Sequence, residues 1–417
     1  MVFVDVAGPY AMNLLHVIGS MDPRGGGPCQ GIRNLAGCAS QRRDTRVEVV
    51  CLDDPQSDYL SVETLCIHAL GQGGKLWGYH PALLPWLKVN LPRFDAVILN
   101  GLWQYKGFVL WKLRQIPGTP RYFVYPHGML DPWFQREPKR RLKAIRNWYY
   151  WKLVEQNVIH NAEAVLFTCA EEMRIARNTF RPYQPKRQVN VGYGVAQPPP
   201  YHKDMAKAFA QACPGVKGKP YLLFLGRLHP KKGVHYLIEA YSALCRSCGG
   251  LALPKLVIAG PGLDSRYGRK MQTLASEACP PGCIFWSEML AGNAKWGAFY
   301  NCEAFVLPSN QENFGIAAVE ALACGRPVLI SDQVNIWREI KEGGAALVEG
   351  NSVAGTTRLL TGWSNLSKEA RSGMAARAIP SFQRLFTIEA ATHKLLAVLA
   401  SPGNTEKSPS EIGRMER

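Results

Sequence analysis

The stretch Asn310-Gln-Glu-Asn-Phe-Gly-Ile-Ala-Ala-Val-Glu-Ala-Leu-Ala-Cys-Gly-Arg-Pro-Val328 decides how the chain is read. It follows an apolar run over 304–308 and sets two carboxylates, Glu312 and Glu320, eight positions apart. The first falls in a loop and the second inside a helix expected over 315–323. A strand, a loop and a helix start make a site at the carboxyl end of a parallel sheet, where α/β folds bind ligands. The unpaired N–H groups and partial positive charge of a helix N-terminus suit a diphosphate. A loop carboxylate beside that end can accept hydrogen bonds from ligand hydroxyls, and the helix carboxylate can serve a second pair, as on a ribose.

Outward from this stretch, short apolar runs alternate with helical patterns. Strands are expected over 14–18, 47–51, 64–69, 96–99, 122–125, 165–168 and 189–192, and again over 221–225, 256–259, 284–286, 304–307, 328–330 and 345–348. Helices are expected over 31–40, 107–114, 141–159, 171–178, 234–245, 266–277, 294–300, 335–341 and 388–399. This is the pattern of parallel sheets wrapped by helices, an α/β fold with two Rossmann-like doubly wound domains facing across a cleft. A Pro-rich and then polar piece over 197–219 reads as a linker between domains at 1–196 and 220–400, and 401–417 reads as a disordered tail.

A chain of 417 residues, 47% hydrophobic, is long enough for two cores. No run of about 20 apolar residues occurs, so no transmembrane helix is expected. Asp5 comes early, the apolar run over 12–18 is short and no basic region precedes it, so no signal peptide is expected. Twelve cysteines in such a chain point to reduced thiols and a cytoplasmic setting. Cys245, Cys248, Cys279 and Cys283 allow either a zinc site or plain thiols at helix ends. The formal net charge of +17 calls for an anionic partner.

Three further places end strands. In Gly226-Arg227 to Lys232-Gly233, two cations suit a diphosphate and the charge developing on a leaving group. In Asp22-Pro-Arg-Gly-Gly-Gly27-Pro, Gly26 and Gly27 let backbone amides approach a ligand, or form a plain surface turn. In Tyr125-Pro-His-Gly, His127 is placed to bond a substrate hydroxyl, while Asp131 caps the next turn.

Gly226-Arg227, Lys232-Gly233, Pro308-Ser309, Glu312 with Glu320, and Gly325-x-Pro327-Val328 together resemble a nucleotide-sugar-dependent glycosyltransferase of family 4, with the GT-B arrangement. The resemblance is strongest over 221–348. It implies a retaining hexosyl transferase whose donor is a nucleotide-diphosphate sugar, with no separate cofactor and no metal. By this resemblance Glu320 holds the ribose and Glu312 contacts the donor sugar. Backbone amides of Asn313, Phe314, Gly315 and Ile316 meet sugar and phosphates. Arg227 and Lys232 neutralise the diphosphate, Gly26 and Gly27 face the donor from the other domain, and His127 lies near the donor sugar. The chain lacks the Asp-x-Asp motif of metal-dependent transferases. It departs from many relatives at Asn100-Gly-Leu-Trp103, where they carry a His, which leaves the acceptor-side contacts open.

The segment Arg136–Lys152 holds seven basic residues and one acid, with Trp148, Tyr149, Tyr150 and Trp151 at its end. Two readings stay open: a helix on an anionic membrane surface, or a solvated basic face with its aromatics in the core. The resemblance favours the first, with a glycan, polyprenyl-linked or glycolipid acceptor, a place at the inner face of the plasma membrane and a role in bacterial exopolysaccharide, lipopolysaccharide or related glycan assembly. Rivals are a basic nucleic-acid- or membrane-binding protein without enzymatic activity, and a sugar-nucleotide epimerase of the same architecture. No zinc-finger spacing, ribonucleoprotein motif or basic zipper supports nucleic acid as a partner.

Overall fold

The computed structural model describes residues 12–42, 45–247 and 253–401. Asp5 and the first residues of the leader reading, Cys248, and the tail from 402 lie outside them. Seven parallel strands form the first sheet: β1 Met12–Val17, β2 Thr45–Cys51, β3 Cys66–Ala69, β4 Ala96–Asn100, β5 Arg121–Tyr125, β6 Val165–Phe167 and β7 Gln188–Asn190. They lie in the order β3-β2-β1-β4-β5-β6-β7. Six more form the second: β8 Tyr221–Leu225, β9 Lys255–Ala259, β10 Ile284–Ser287, β11 Ala304–Leu307, β12 Val328–Ser331 and β13 Ala346–Glu349, ordered β10-β9-β8-β11-β12-β13.

The central strands are buried on both faces, as the residues of β4 and β11 show at every position. That is why they read as unbroken apolar runs rather than alternating ones. Each sheet reverses its order between its first and fourth strand, and the loops leaving those strands open a crevice at the carboxyl edge. The two crevices face each other: where a Cβ on Gly27 would stand, Ile316 Cδ1 is 3.9 Å away.

Several elements differ from the sequence reading. The first helix spans Gly27–Arg42 and so begins at the glycine turn itself. The piece read as linker contains the helix Lys203–Ala212, whose Met205 and Phe209 are buried. It packs so closely on the helix Gly292–Asn301 that a Cβ on Gly297 would strike the Met205 carbonyl. Its Ala-rich, polar sequence hid a narrow apolar face. The last helix, Ile388–Ala400, returns to the first domain, where Leu395 and Leu399 join Leu14, Ile98 and Phe123 in one core. Arg121 fixes it there by donating to the carbonyls of Leu399 and Ser401, 2.8 Å each. The long helix expected over 141–159 is interrupted: Arg141–Tyr150 runs into a π-helical turn, Trp151–Glu155, before Gln156–Asn161. Among the described residues no helix is long and apolar enough to cross a membrane.

Candidate active site

The second-domain half of the site hangs on the loop between β11 and the helix Ile316–Ala323. Its backbone is pinned on both sides. Glu312 donates its amide to Gln333 O at 2.9 Å and accepts from the Asn335 amide at 3.0 Å. The Ser331 hydroxyl bonds Ser309 O at 2.6 Å. Asn310 ties this loop to the cationic one, through its amide on Lys231 O and its side chain on Pro230 O. Gly315 caps the helix with φ 80°, a left-handed conformation that an ordinary side chain resists. The helix therefore starts abruptly, and its first amides have no partner within it.

Both carboxylates are paired with lysines. Lys232 Nζ donates to Glu312 Oε2. Lys295 Nζ donates to Glu320 Oε1 at 2.6 Å, where the Glu320 side chain is only 12% exposed. Burial raises the Glu320 pKa, and Lys295 opposes that rise. Arg227 is exposed on the loop after β8. Partial burial, then the charges of Arg227, Lys231 and Lys232, hold His229 below its ordinary value, a mark of the positive potential on this loop. Gly233, at φ 68°, is required because a Cβ there would strike Pro308 O, so the cationic turn lies directly against the end of β11.

The first-domain half begins at the glycine turn. Asp22 caps a short 3-10 turn, Pro23–Gly25, by accepting from the Arg24 amide at 2.8 Å. Gly26 follows at φ 81° with open space around it, and Gly27 starts its helix at the cleft. Tyr193 braces that start by donating to Gly27 O at 2.6 Å while its ring packs on Phe314.

His127 is at the cleft edge, but its ring is engaged. Its Nε2 lies 3.0 Å from Asn100 Oδ1, and the ring stacks on Tyr125 with centroids 4.2 Å apart. Asn100 in turn bonds His16 Nδ1 at 3.1 Å. Burial lowers the pKa of His127 to about 3 and that of His16 to about 4, so both are neutral at physiological pH. The imidazole bond to a substrate hydroxyl expected from sequence therefore competes with Asn100. Phe314 is likewise in the core, packed on Tyr193 and Phe386, so only its backbone faces the site.

The structure adds Lys295 and gives Asp131 and Asn313 partners across the cleft that sequence reading passed over. Lys295 had no signal beyond being basic in a helix. Asp131 caps its turn as expected, accepting from the Trp133 amide at 2.8 Å, and its other oxygen accepts from Gln311 Nε2 at 2.7 Å across the cleft. Asn313 Nδ2 reaches Thr168 Oγ1 at 3.2 Å, also across the cleft, and fills the space beside Gly128. The four-cysteine zinc idea cannot be closed among the described residues: Cys245 and Cys283 are buried and Cys279 half-buried, all free thiols. The one cluster there with metal-ligand spacing is Glu48, Cys66 and His68, and Glu48 already pairs with Arg93 and Arg46.

Two family models match in tandem. "Glycosyl transferase 4-like domain" covers 26–194 and "Glycosyl transferases group 1" covers 207–378. A D-inositol 3-phosphate glycosyltransferase of Nocardia farcinica is 27% identical over 206 residues, 48% of this chain and 44% of that one. The chain thus spans under half the length of that relative. Among solved structures, the Anabaena protein HepE in complex with UDP and glucose superposes with a TM-score of 0.71 at 17% identity, over 94% of this chain and all of its own. A sucrose-phosphate synthase from Thermosynechococcus elongatus gives 0.69 at 19%, over 93% and 98%. These two likenesses speak for the fold.

Proposed function

The chain belongs to the group 1 glycosyl transferases of GT-B architecture, and from that premise we propose that it moves a hexose from a nucleotide-diphosphate sugar to a hydroxyl acceptor with retention at the anomeric carbon. The observation that carries this is the pair of lysine-held carboxylates, Glu312 and Glu320, flanking a helix start that faces the Gly26-Gly27 turn.

Each residue then has a task. Glu320 accepts from the ribose hydroxyls, trading or sharing its bond to Lys295. Free amides at the helix start meet the phosphates. Lys232 and Arg227 stabilise the diphosphate as the bond from the anomeric carbon breaks and the electron pair leaves with it. In the ground state Glu312 already orients Lys232, and it receives donor-sugar hydroxyls at its other oxygen. The acceptor hydroxyl oxygen forms the new bond and its proton leaves with the diphosphate. These fixed cations take the part that a divalent ion plays in metal-dependent transferases. His127, neutral and held by Asn100, shapes the sugar side of the cleft.

The first domain supports a membrane setting. On the helix Arg141–Tyr150 and its continuation, Leu142, Ile145, Trp148, Tyr149 and Leu153 are exposed while Tyr150 and Trp151 are buried. The aromatics thus divide between core and surface. With Arg141, Lys143 and Lys152 beside them, the exposed residues make a face suited to an anionic bilayer. The acceptor on this reading is a glycan built at the inner surface of a membrane.

A screen of nucleotide sugars for donor hydrolysis tests the proposal. Wild type should release nucleoside diphosphate from at least one donor in the presence of EDTA. Lys232→Ala and Arg227→Ala should each cut that rate by roughly tenfold or more while the Tm holds. Hydrolysis that needs an added divalent ion, or that is indifferent to both substitutions, would overturn it.

A further inference from the structure

The loop that starts at Asn100, where the chain departs from many relatives, meets His127 at the carboxyl edge of the first sheet. β1, β4 and β5 are neighbours there. His16 lies near the end of β1, Asn100 is the last residue of β4, and His127 follows β5 by two residues. Asn100 stands between the two histidines and bonds both.

The backbone turns left-handed through His127 and Gly128, at φ 51° and 80°. A Cβ on Gly128 would stand 2.7 Å from Asn313 Cγ, so this turn abuts the Glu312 loop of the second domain. A positive φ is uncommon outside glycine, and such strain persists only where the surroundings impose it. Here the imidazole is stacked on Tyr125 and held by Asn100.

One carbonyl decides where the protons of this bridge sit. Asn100 Nδ2 lies 3.1 Å from Ile98 O, which can only accept. The same amide nitrogen lies 3.1 Å from His16 Nδ1. That ring nitrogen must therefore accept, which leaves the His16 proton on Nε2. Nε2 is buried with no protein partner. The other tautomer would set two donors against each other at Nδ1, so an orphan N–H is the less unfavourable state. The far end of the amide, Oδ1, can only accept, and it lies 3.0 Å from His127 Nε2. His127 thus carries its proton on Nε2 as well. Burial, with His16 and Lys106 acting the same way, keeps its ring neutral. Nδ1 then holds a lone pair, and it makes no hydrogen bond among the described residues.

Building on the transferase reading, we propose that Asn100 is a positioning residue: it holds the His127 proton on Nε2 and leaves Nδ1 as an acceptor for a hydroxyl hydrogen of the donor sugar. A ligand bond through Nε2 would have to displace Asn100; one through Nδ1 does not. A group that offers only lone pairs is turned away from Nδ1. The site therefore selects a neutral sugar over its uronic acid, whose carboxylate brings negative charge and no hydrogen. Asn100 does this without touching the sugar. An amide anchored on a backbone carbonyl has one orientation, whereas a histidine at this place could turn either a donor or an acceptor towards His127.

The test is long-range proton–nitrogen correlation NMR on the full chain with isotope-labelled histidine, beside donor hydrolysis and calorimetry. His127→Asn, which tolerates positive φ, assigns the His127 signals. In wild type, Nδ1 should resonate as an unprotonated nitrogen and Nε2 as a protonated one. In Asn100→Leu both tautomers should be populated, and hydrolysis of a neutral sugar nucleotide should slow by about tenfold. Affinity for uridine and guanosine diphosphates should hold. The donor probes are uridine-diphosphate glucose with its glucuronic acid counterpart, and guanosine-diphosphate mannose with its mannuronic acid counterpart. Wild type should hydrolyse the neutral member of at least one pair about tenfold or more faster than the acid, and Asn100→Leu should narrow that gap. A wild-type ring protonated on Nδ1 overturns the proposal. So does an Asn100→Leu protein with unchanged tautomer and rate, or equal use of a neutral sugar and its acid. Should Asn100→Leu fail to fold, the wild-type signals and the neutral-to-acid ratio still decide. If wild type binds neither diphosphate and hydrolyses no probe, the transferase reading falls, and the NMR signals alone decide whether Asn100 sets the tautomer.

Discussion

Lys295 sets the charge on Glu320, and with it the strength of the proposed ribose contact. Burial alone would favour the neutral carboxyl; the ammonium at 2.6 Å works against that. In Lys295→Gln the carboxyl pKa should rise further. The ionised form is the better acceptor, so nucleotide affinity should fall as pH is lowered, and the fall should begin at a higher pH than in wild type. Calorimetry at about pH 6 and pH 8 checks this; parallel pH dependence in the two proteins would refute it. His127 makes the opposite case. Its pKa near 3 and that of His16 near 4 mean neither ring gains a proton at physiological pH. Ring NMR signals of both should stay fixed between about pH 5 and pH 8, where a free histidine would titrate. A midpoint near the ordinary histidine value would show that the Asn100 bridge does not hold in solution.

At the scale of elements, the strands were legible because burial on both faces leaves an unbroken apolar run, and the Glu312–Glu320 loop because its residue types are constrained by chemistry. Less was legible where packing overrides local pattern. The helix Lys203–Ala212 buries only Met205 and Phe209 fully, too thin a stripe to separate it from a linker. The π turn has no sequence signal at all, since it is one extra residue per turn in an ordinary helical run. That turn carries Glu155, which accepts from the Trp103 amide and feels the charge of Lys106, and both are buried. Burial raises Glu155 to about 7 and lowers Lys106 to about 8. The charge of Lys106 opposes the burial that raises the Glu155 pKa, so in Lys106→Met that pKa should climb further and the first domain should lose stability relative to wild type towards pH 8. The sign with pH follows from the raised carboxyl pKa. Above its unfolded value, near 4.5, the folded state increasingly pays to ionise or to keep the proton, so the deficit should grow from pH 5 to pH 8. Thermal melts at the two pH values measure it; a deficit that shrinks as pH rises would contradict the burial of this pair.

At the scale of the molecule, the two domains are joined across the cleft by Gln311 to Asp131, Asn313 to Thr168, and Arg338 to Glu171. All three links come from the loops that hold the candidate site or from elements beside them, so the proposed donor site and the domain contact share residues. None could be read from sequence, because each pairs positions more than 140 apart. The basic helix acts at this scale too. Each cation near an anionic surface contributes about 1 kcal/mol, screened by salt. Replacing Arg141, Lys143 and Lys152 by Gln should release the protein from anionic vesicles at low salt and leave donor hydrolysis intact, since these residues stand on the outer face of the first domain. Co-sedimentation unchanged by the triple substitution would mean that the helix is a solvated face.

The central claim is that the second domain binds a nucleoside diphosphate through Glu320 and a cationic helix start without a divalent ion. Calorimetric titration of wild type and Glu320→Ala with uridine, guanosine, adenosine and thymidine diphosphates, all in EDTA, tests it most directly. At least one should bind wild type, and Glu320→Ala should weaken that one by about 1.5–3 kcal/mol with the Tm unchanged. Equal affinity in the two proteins, or binding that appears only when a divalent ion is restored, would contradict the account.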